Sequence, residues 1–323
     1  MKPPRHQSGA ALLAAMITVT LVATIAAAAL WRQWRGVEVE AAERARVQSA
    51  WILTGALDWG RLILAGDQRE STTDHLAEPW AVPLAEARLS TFLAAGESSA
   101  DTERDAFLSG QITDLQSRLN LMNLVAGDPA DPVDALARFG RLFDLLGLPA
   151  SELAVLQRSL VRAQAALAGT ATGGDAPLMP RRFEQLAWLG VSPATLAALR
   201  PYATLLPLQN HQPTPVNLNT ASAQVIQAAV PGLDLAQAQR LVTQREQGHF
   251  KSVQEAMSAL GITGANPNWT AVASSFFEIR GRLRLDDVAL EEVSVVQRLG
   301  RVRGVVTLWR ERAALSLPAA GAR

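Results

Sequence analysis

An apolar run near the N-terminus, from Ala10 to Trp31, constrains this chain more than any other feature, because no charged residue interrupts it before Arg32. At about 22 residues it is long enough for one α-helix to cross the roughly 30 Å hydrocarbon core of a bilayer. A backbone at that depth must satisfy its own hydrogen bonds, so a single span has to be helical. Trp31 and Trp34 fall where aromatic residues gather at the membrane interface. The residues predicted to form this membrane anchor are Ala10, Leu12, Leu13, Ile17, Leu21, Ile25, Leu30 and Trp31.

The segment before the run is short, polar and basic, with Lys2 and Arg5, and it ends at Gly9. A secretory signal has a shorter apolar core, followed by a small-residue cleavage site. A basic segment and a glycine ahead of a full span instead resemble a type IV prepilin leader, cut between Gly9 and Ala10. Hydropathy does not separate such a leader from a plain uncleaved anchor, so this stretch leaves both alternatives open.

Composition excludes several classes of protein. Lys plus Arg and Asp plus Glu both number 30 in the 323 residues, which argues against a general nucleic-acid binder with its excess of basic side chains. The absence of cysteine excludes disulfides and thiolate metal sites. Basic residues flank the apolar run on both sides, and their count taken alone would keep the body in the cytoplasm.

Beyond the span, the periodicity predicts one long helix, followed by a first strand. The helical pattern runs from Glu38 to about Ala65. Its predicted packing face comprises Val47, Ala50, Trp51, Thr54, Leu57, Asp58 and Arg61. Two prolines bracket Trp80 in a predicted surface loop with a buried tryptophan. From Gly110 to Leu124 apolar and polar residues alternate, which predicts a strand that runs into a turn.

The middle of the chain is helical in pattern, and its end returns to strands. Predicted helices cover 131–146, 150–168, 181–189, 193–200, 220–230, 235–247 and 252–260. Three predicted strands follow, from Phe276 to Leu285, Glu291 to Leu299 and Arg301 to Trp309. We therefore predict an α+β fold, in which the N-terminal helix packs on an antiparallel sheet and a large all-α domain is inserted. The predicted limits are 1–9 (leader), 10–31 (transmembrane helix), 32–125 (helix and first part of the sheet), 126–272 (inserted domain) and 273–323 (closing strands).

Several short motifs, in order along the chain, resemble those of the K-type minor pseudopilins of bacterial type II secretion. They are Glu78-Pro79-Trp80-Ala81, Gly110-Gln111-Ile112-Thr113-Asp114, Leu119-Asn120-Leu121-Met122-Asn123-Leu124, Leu205-Leu206-Pro207, Val216-Asn217-Leu218-Asn219-Thr220-Ala221 and Phe276-Phe277-Glu278-Ile279-Arg280-Gly281. The resemblance covers nearly the whole chain.

The resemblance implies a pilin-like fold whose inserted domain contains helix-hairpin-helix and SAM-like elements. It implies that a prepilin peptidase cuts between Gly9 and Ala10 and that the new N-terminus is methylated. It also implies a single-pass inner-membrane protein with a periplasmic body, whose partners are the I- and J-type minor pseudopilins and the pseudopilus.

Pilin-like proteins usually carry glutamate where this chain has Ala14. Such a carboxylate needs a partner within the bilayer, and a subunit that enters first would have none. Alanine there therefore predicts a position at the filament tip.

Calcium is a possible ligand, because the family can bind it. Hard cations need about six or more oxygen ligands. Asp128, Asp131 and Asp134 are the candidates, although this spacing is also typical of a turn and a helix cap. No other cofactor is expected. The segment Gly169 to Pro180 replaces an acidic stretch of the family and retains only Asp175.

Two other classes of protein compete with this interpretation. Residues from Pro215 to Leu260 also resemble the helix-hairpin-helix module of membrane-anchored, competence-type DNA receptors. In this chain Asp234 stands where a phosphate would bind and is better interpreted as a helix N-cap. For an enzyme, His6, His75, His211 and His249 lack the sequence neighbours of known metal or triad motifs. We therefore predict no nucleic-acid partner and no enzymatic activity.

Overall fold

The computed structural model describes residues 8–89, 106–126, 133–170, 176–261, 269–285, 288–300 and 303–315. The chain divides into two compact units, Met1–Gly55 and Ala56–Arg323. Helix α1 (Ser8–Glu70) begins in the first unit and ends in the second. It therefore extends about a turn beyond the predicted end near Ala65.

The first unit consists of the apolar part of α1 and the charged turns that follow it. Within the described residues, α1 is the one helix that is long and apolar enough to span a membrane, with a mean hydropathy of 2.3 over its most apolar window. The hydroxyl groups of Thr18, Thr20 and Thr24 donate to carbonyls of the preceding turn at 2.8 to 3.0 Å. The polar side chains of the apolar run are thus satisfied by the helix itself, as a bilayer requires.

The second unit is built on an antiparallel sheet. Its strands are β1 (Leu84–Arg88), β2 (Ala106–Asp114), β3 (Leu119–Asn120), β4 (Ala203–Thr204), β5 (Val216–Asn217), β6 (Thr270–Ala271), β7 (Phe276–Leu285), β8 (Val288–Arg298) and β9 (Val305–Leu315). Five of them form the main sheet in the order β1-β2-β7-β8-β9, with every pair antiparallel. The other four form two short parallel pairs, β3 with β4 and β5 with β6. The three predicted closing strands are confirmed as β7, β8 and β9.

The last turns of α1 pack on this sheet through apolar side chains. Leu57 and Leu64 are fully buried with Phe277 and Val296 of the sheet. Gly60 lets the helix approach closely, because a Cβ at this position would lie 2.9 Å from Cγ2 of Ile279. The predicted packing face was wrong at Val47 and Trp51, which are 53% and 72% exposed. Spacing alone did not show which side of an apolar-rich helix would be covered.

The prediction of a strand that runs into a turn between Gly110 and Leu124 is confirmed, although it did not say where the strand ends. Strand β2 ends at Asp114, whose side chain accepts a hydrogen bond from the backbone N–H of Gln116 at 2.8 Å and begins a 3₁₀ turn. Asn120 begins a second 3₁₀ turn in the same way, through the N–H of Met122 at 3.1 Å. Side-chain caps therefore turn the chain out of the sheet within an alternating pattern.

The helices lie between β2 and β7 in the chain, and we call this part the helical insert. They are α2 (Val133–Leu146), α3 (Ala150–Leu167), α4 (Pro193–Leu199), α5 (Ala223–Ala229), α6 (Leu235–Gln247) and α7 (Val253–Ser258). The predicted helix over 181–189 is instead a 3₁₀ helix, Phe183–Leu189. Phe139, Phe143, Leu156 and Leu160 lie in the core of the insert. The α+β fold class is thus confirmed, while the domain limits at 126 and 272 stay predictions.

Candidate functional site

The membrane anchor occupies the first turns of α1. Gly9 and Ala10 lie near its start, and every predicted anchor residue from Ala10 to Trp31 is exposed to the surroundings. The rings of Trp31 and Trp34 lie 5.4 Å apart, at the end of the apolar run. Ala14 contributes no carboxylate to this surface. The anchor therefore offers an uncharged helix to a lipid or protein environment.

Exposed apolar side chains continue along α1 beyond the anchor. Val47 and Trp51 are 53% and 72% exposed in the first unit. In the second unit, Trp59 and Leu62 are 46% and 70% exposed. Large apolar side chains that stay exposed are typical of a surface that binds another protein.

The loop that follows α1, residues 71–83, is fixed by a buried tryptophan. Trp80 is 2% exposed, and its ring meets Phe277 edge-on at 5.2 Å. Oε2 of Glu78 accepts hydrogen bonds from Nε1 of Trp80 at 2.7 Å and from the backbone N–H of His75 at 2.9 Å. The predicted loop with a buried tryptophan is confirmed, and we call it the post-helix loop.

Asp114, at the end of β2, is a buried acceptor at the junction between the sheet and the insert. Its Oδ2 accepts from Thr220 at 2.5 Å, from Ser274 at 2.7 Å and from Asn217 at 3.0 Å. Burial raises the pKa of Asp114 to about 6, against the lowering effect of the hydrogen bonds from Ser274, Thr220 and Gln116. The carboxylate thus joins β2 to residues that are more than a hundred positions away in the sequence.

Buried asparagines join distant segments within the helical insert. Asn123 exchanges two hydrogen bonds with the backbone of Thr214, at 2.9 and 2.8 Å. Asn219 makes a similar pair with the backbone of Phe250, both at 2.9 Å. Their distant backbone partners carry no local sequence signal.

Arg298, at the end of β8, holds two carboxylates near the end of α1. Its guanidinium donates to Asp74 at 2.5 Å and to Asp67 at 2.6 Å, and it lies over the ring of Phe277. Burial raises the pKa of Asp67 and of Asp74 above the ordinary range, although Arg298 opposes that rise. Together with Glu78 these acids converge within 4.8 Å. Because the arginine already pairs with two of them, we identify the group as an ion-pair network and not as a metal site.

Of the three calcium candidates, Asp134 alone lies among the described residues. Asp128 and Asp131 lie outside the described residues. Asp134 is exposed in the first turn of α2, where a carboxylate interacts favourably with the helix N-terminus. The calcium prediction therefore receives no support from the residues that the structure describes.

In the helix-hairpin-helix region, the turn where a phosphate would bind has its hydrogen bonds made by residues of the chain itself. Asp234 accepts from the backbone N–H of Gln237 at 2.7 Å, as the predicted N-cap of α6. Arg245 donates to the carbonyls of Leu218 and Ala221 at 2.7 and 2.6 Å. Both residues thus act within the fold, and this region provides packing between helices.

A pilin-like protein is defined by a long N-terminal helix that is apolar in its first half and packs on an antiparallel sheet through its last turns. This chain has that arrangement and adds a helical insert. Two family models that describe type II secretion system protein K match residues 117–208 and 216–279. The chain belongs to this family and is a minor pseudopilin of type II secretion.

Relatives match the chain over nearly its full length. The type II secretion system protein K of Pseudomonas aeruginosa is 28% identical over 91% of this chain and 90% of its own length. That of Klebsiella pneumoniae is 27% identical over 93% and 95%. The crystal structure of the GspK-GspI-GspJ complex from enterotoxigenic Escherichia coli matches with a TM-score of 0.65 at 16% identity. That match covers 84% of this chain and 98% of the other and supports the fold. None of these relatives is described as a DNA-binding protein, and the competence-type alternative is dropped.

Proposed function

We propose that this chain is the tip subunit of the pseudopilus, where it helps to start and cap assembly and thereby helps to export folded proteins across the outer membrane. The observation that carries this proposal is Ala14, within a span that has no charged residue. A carboxylate at that depth is costly unless a neighbouring group pairs with it. A subunit that enters the filament first has no earlier neighbour, so it has no use for the carboxylate.

The helical insert supports the same position. It adds a large body to one subunit, and such a body would obstruct further subunits at the end where it lies. We place this body in the periplasm and the anchor, from Ala10 to Trp31, in the inner membrane. Its role is mechanical and non-enzymatic, in keeping with a family of structural pseudopilins.

The partners that we propose are the I- and J-type minor pseudopilins. The related GspK protein has been crystallised in a complex with GspI and GspJ. In this chain, exposed apolar side chains of α1 are suited to pack against the helices of such partners; they are Val47 and Trp51 in the first unit and Trp59 and Leu62 in the second.

The N-terminus of the protein purified from membranes, with and without the prepilin peptidase, tests this assignment. We expect a methylated chain that begins at Ala10 only when the peptidase is present. A chain that keeps Met1 to Gly9 in both strains would contradict the assignment. A Gly9→Leu variant is the matched control, since it should stay uncut although its apolar span is unchanged.

A further inference from the structure

Two histidines from distant parts of the chain stack on each other where the post-helix loop meets the helical insert. His75 lies in the loop, and His249 lies in the turn between α6 and α7. Their ring centroids are 3.8 Å apart and the ring planes differ by 10°. Each ring therefore covers a face of the other, and the contact joins the two segments.

The hydrogen bonds around His75 indicate how its neutral ring is arranged. The backbone N–H of Ala77 donates to Nδ1 of His75 at 3.3 Å. Nδ1 is thus an acceptor, so the proton of the neutral ring is on Nε2. Nε2 lies 3.9 Å from Oε1 of Glu78.

Protonation of both rings disfavours the stack, since two charged imidazoles in face-to-face contact repel each other. Burial and then the neighbouring His75 lower the pKa of His249 below its ordinary value of 6.5. Among the other charged groups, Lys251 lowers it further, while Glu78 and Glu255 oppose the change. Behind Glu78 lie Asp67 and Asp74, which are paired with Arg298.

The lowered pKa of His249 determines the sign of the pH effect. A histidine whose pKa is lowered by the closed contact takes up a proton more readily when the contact is open. The stabilisation by the stack is therefore complete above the ordinary histidine pKa and is lost as the pH falls below it. The pKa values of Asp67, Asp74 and Asp114 are raised, so these groups affect global stability in the opposite sense. A local readout is needed for this reason.

We propose that His75 and His249 form a proton-sensitive clasp that holds the post-helix loop against the helical insert at neutral pH and releases it in mild acid. Histidine is the residue whose charge changes in this range. Release would free the turn at His249 from the loop at His75, while Asp74 stays hydrogen-bonded to Asn217 and Ser274. The clasp does not depend on the proposed position at the filament tip.

Titration of the histidine rings tests the coupling directly. The chain contains four histidines, so ring-carbon NMR signals of the full-length protein in detergent micelles can be assigned with single His→Gln variants. We expect His249 to titrate below its ordinary range and to move upward in His75→Gln. His211→Gln, at an exposed turn, is the control and should leave the midpoint of His249 unchanged. An ordinary midpoint for His249 that His75→Gln does not move would overturn the proposal.

Hydrogen exchange tests the release. At pH 5.5, after correction for intrinsic exchange, amides of residues 71–83 and 248–252 should exchange faster relative to pH 7.5 in the wild-type protein. Each pKa unit of coupling corresponds to about a tenfold change in the fraction of open loop. His249→Gln should remove this pH dependence. Equal protection at both pH values in the wild type, or an acid effect that persists in His249→Gln, would refute the clasp.

Discussion

Asp114 alone accepts several of the hydrogen bonds that connect the sheet to the helical insert. An amide at this position keeps the shape but replaces one acceptor oxygen with a donor group, although all four of its partners donate. We predict that Asp114→Asn lowers the free energy of unfolding by about 1–3 kcal/mol, the cost of leaving buried polar groups unpaired. Asp144→Asn, on an exposed turn of α2, is the control. Urea unfolding of the full chain in micelles measures both.

The pH dependence of that deficit has a definite sign. The pKa of Asp114 is about 6 in the folded protein against 3.8 as its ordinary value. The folded state thus binds the proton more readily, and the stability that this group contributes is lost as the pH rises through about 6. The variant lacks this dependence, so its deficit should be larger at pH 5 than at pH 7.5. A deficit that widens toward pH 7.5 would show that the carboxylate is not held in this way.

Arg298 gives the second prediction at the residue scale. Its side chain is 4% exposed, and Arg298→Met leaves Asp67 and Asp74 buried without their counter-charge. We expect a loss of about 3–5 kcal/mol, typical of breaking a buried ion pair from one side. In the control, Arg284→Met, the exposed pair with Glu86 is lost, at a cost of less than about 1 kcal/mol. Similar losses for the two variants would contradict the assigned burial.

At the scale of elements, the close approach of α1 to β7 depends on Gly60. Gly60→Ala should lower stability by about 1–3 kcal/mol, because the added Cβ would clash with Ile279. Gly66→Ala, in the same helix with nothing within 4 Å of its Cβ, should raise stability by about 0.5–1 kcal/mol through helix propensity. Thermal unfolding of the two variants separates the clash from the propensity. Stabilisation by both would mean that α1 is not seated on the sheet at Gly60.

Most elements could be predicted from the sequence because their signals are local. Asp234 begins α6, and Ser192 with Pro193 begins α4, as capping rules indicate. The packing face of α1 could not be predicted in this way, since Leu57 and Leu62 are both apolar and only the sheet decides which is covered. Nor could the end of β2, where Asp114 caps a turn inside an alternating pattern.

In the candidate site, too, the sequence predicted some features and not others. Motifs that carried the family resemblance contain Asp114, Asn123, Asn217 and Asn219. In the structure these residues are buried, and they form hydrogen bonds at the junction or within the insert. Their types could be read from the sequence, but not their partners, which lie up to 160 positions away along the chain. Arg298 and the stacked histidines were missed for the same reason, because each contact forms only once the chain is folded.

At the scale of the whole molecule, the exposed apolar side chains of α1 should bind the partner subunits. Trp51→Arg and Leu62→Arg place a charge on side chains that are 72% and 70% exposed. We expect unchanged folding but weaker co-purification of the I- and J-type minor pseudopilins, because a charge in an apolar interface must be desolvated. Leu178→Arg, at a residue of the insert that is 76% exposed, is the matched control. Equal recovery of partners with all three variants would exclude these side chains from the interface.

The position of the subunit within the pseudopilus tests the central claim most directly. An epitope placed between Asn210 and His211, at an exposed turn of the insert, can be labelled with gold on pseudopili formed by overproduced major pseudopilin. A strain with an unlabelled chain controls for background. We predict gold at one end of each filament. Gold distributed along the shaft would contradict the assignment of this chain to the tip.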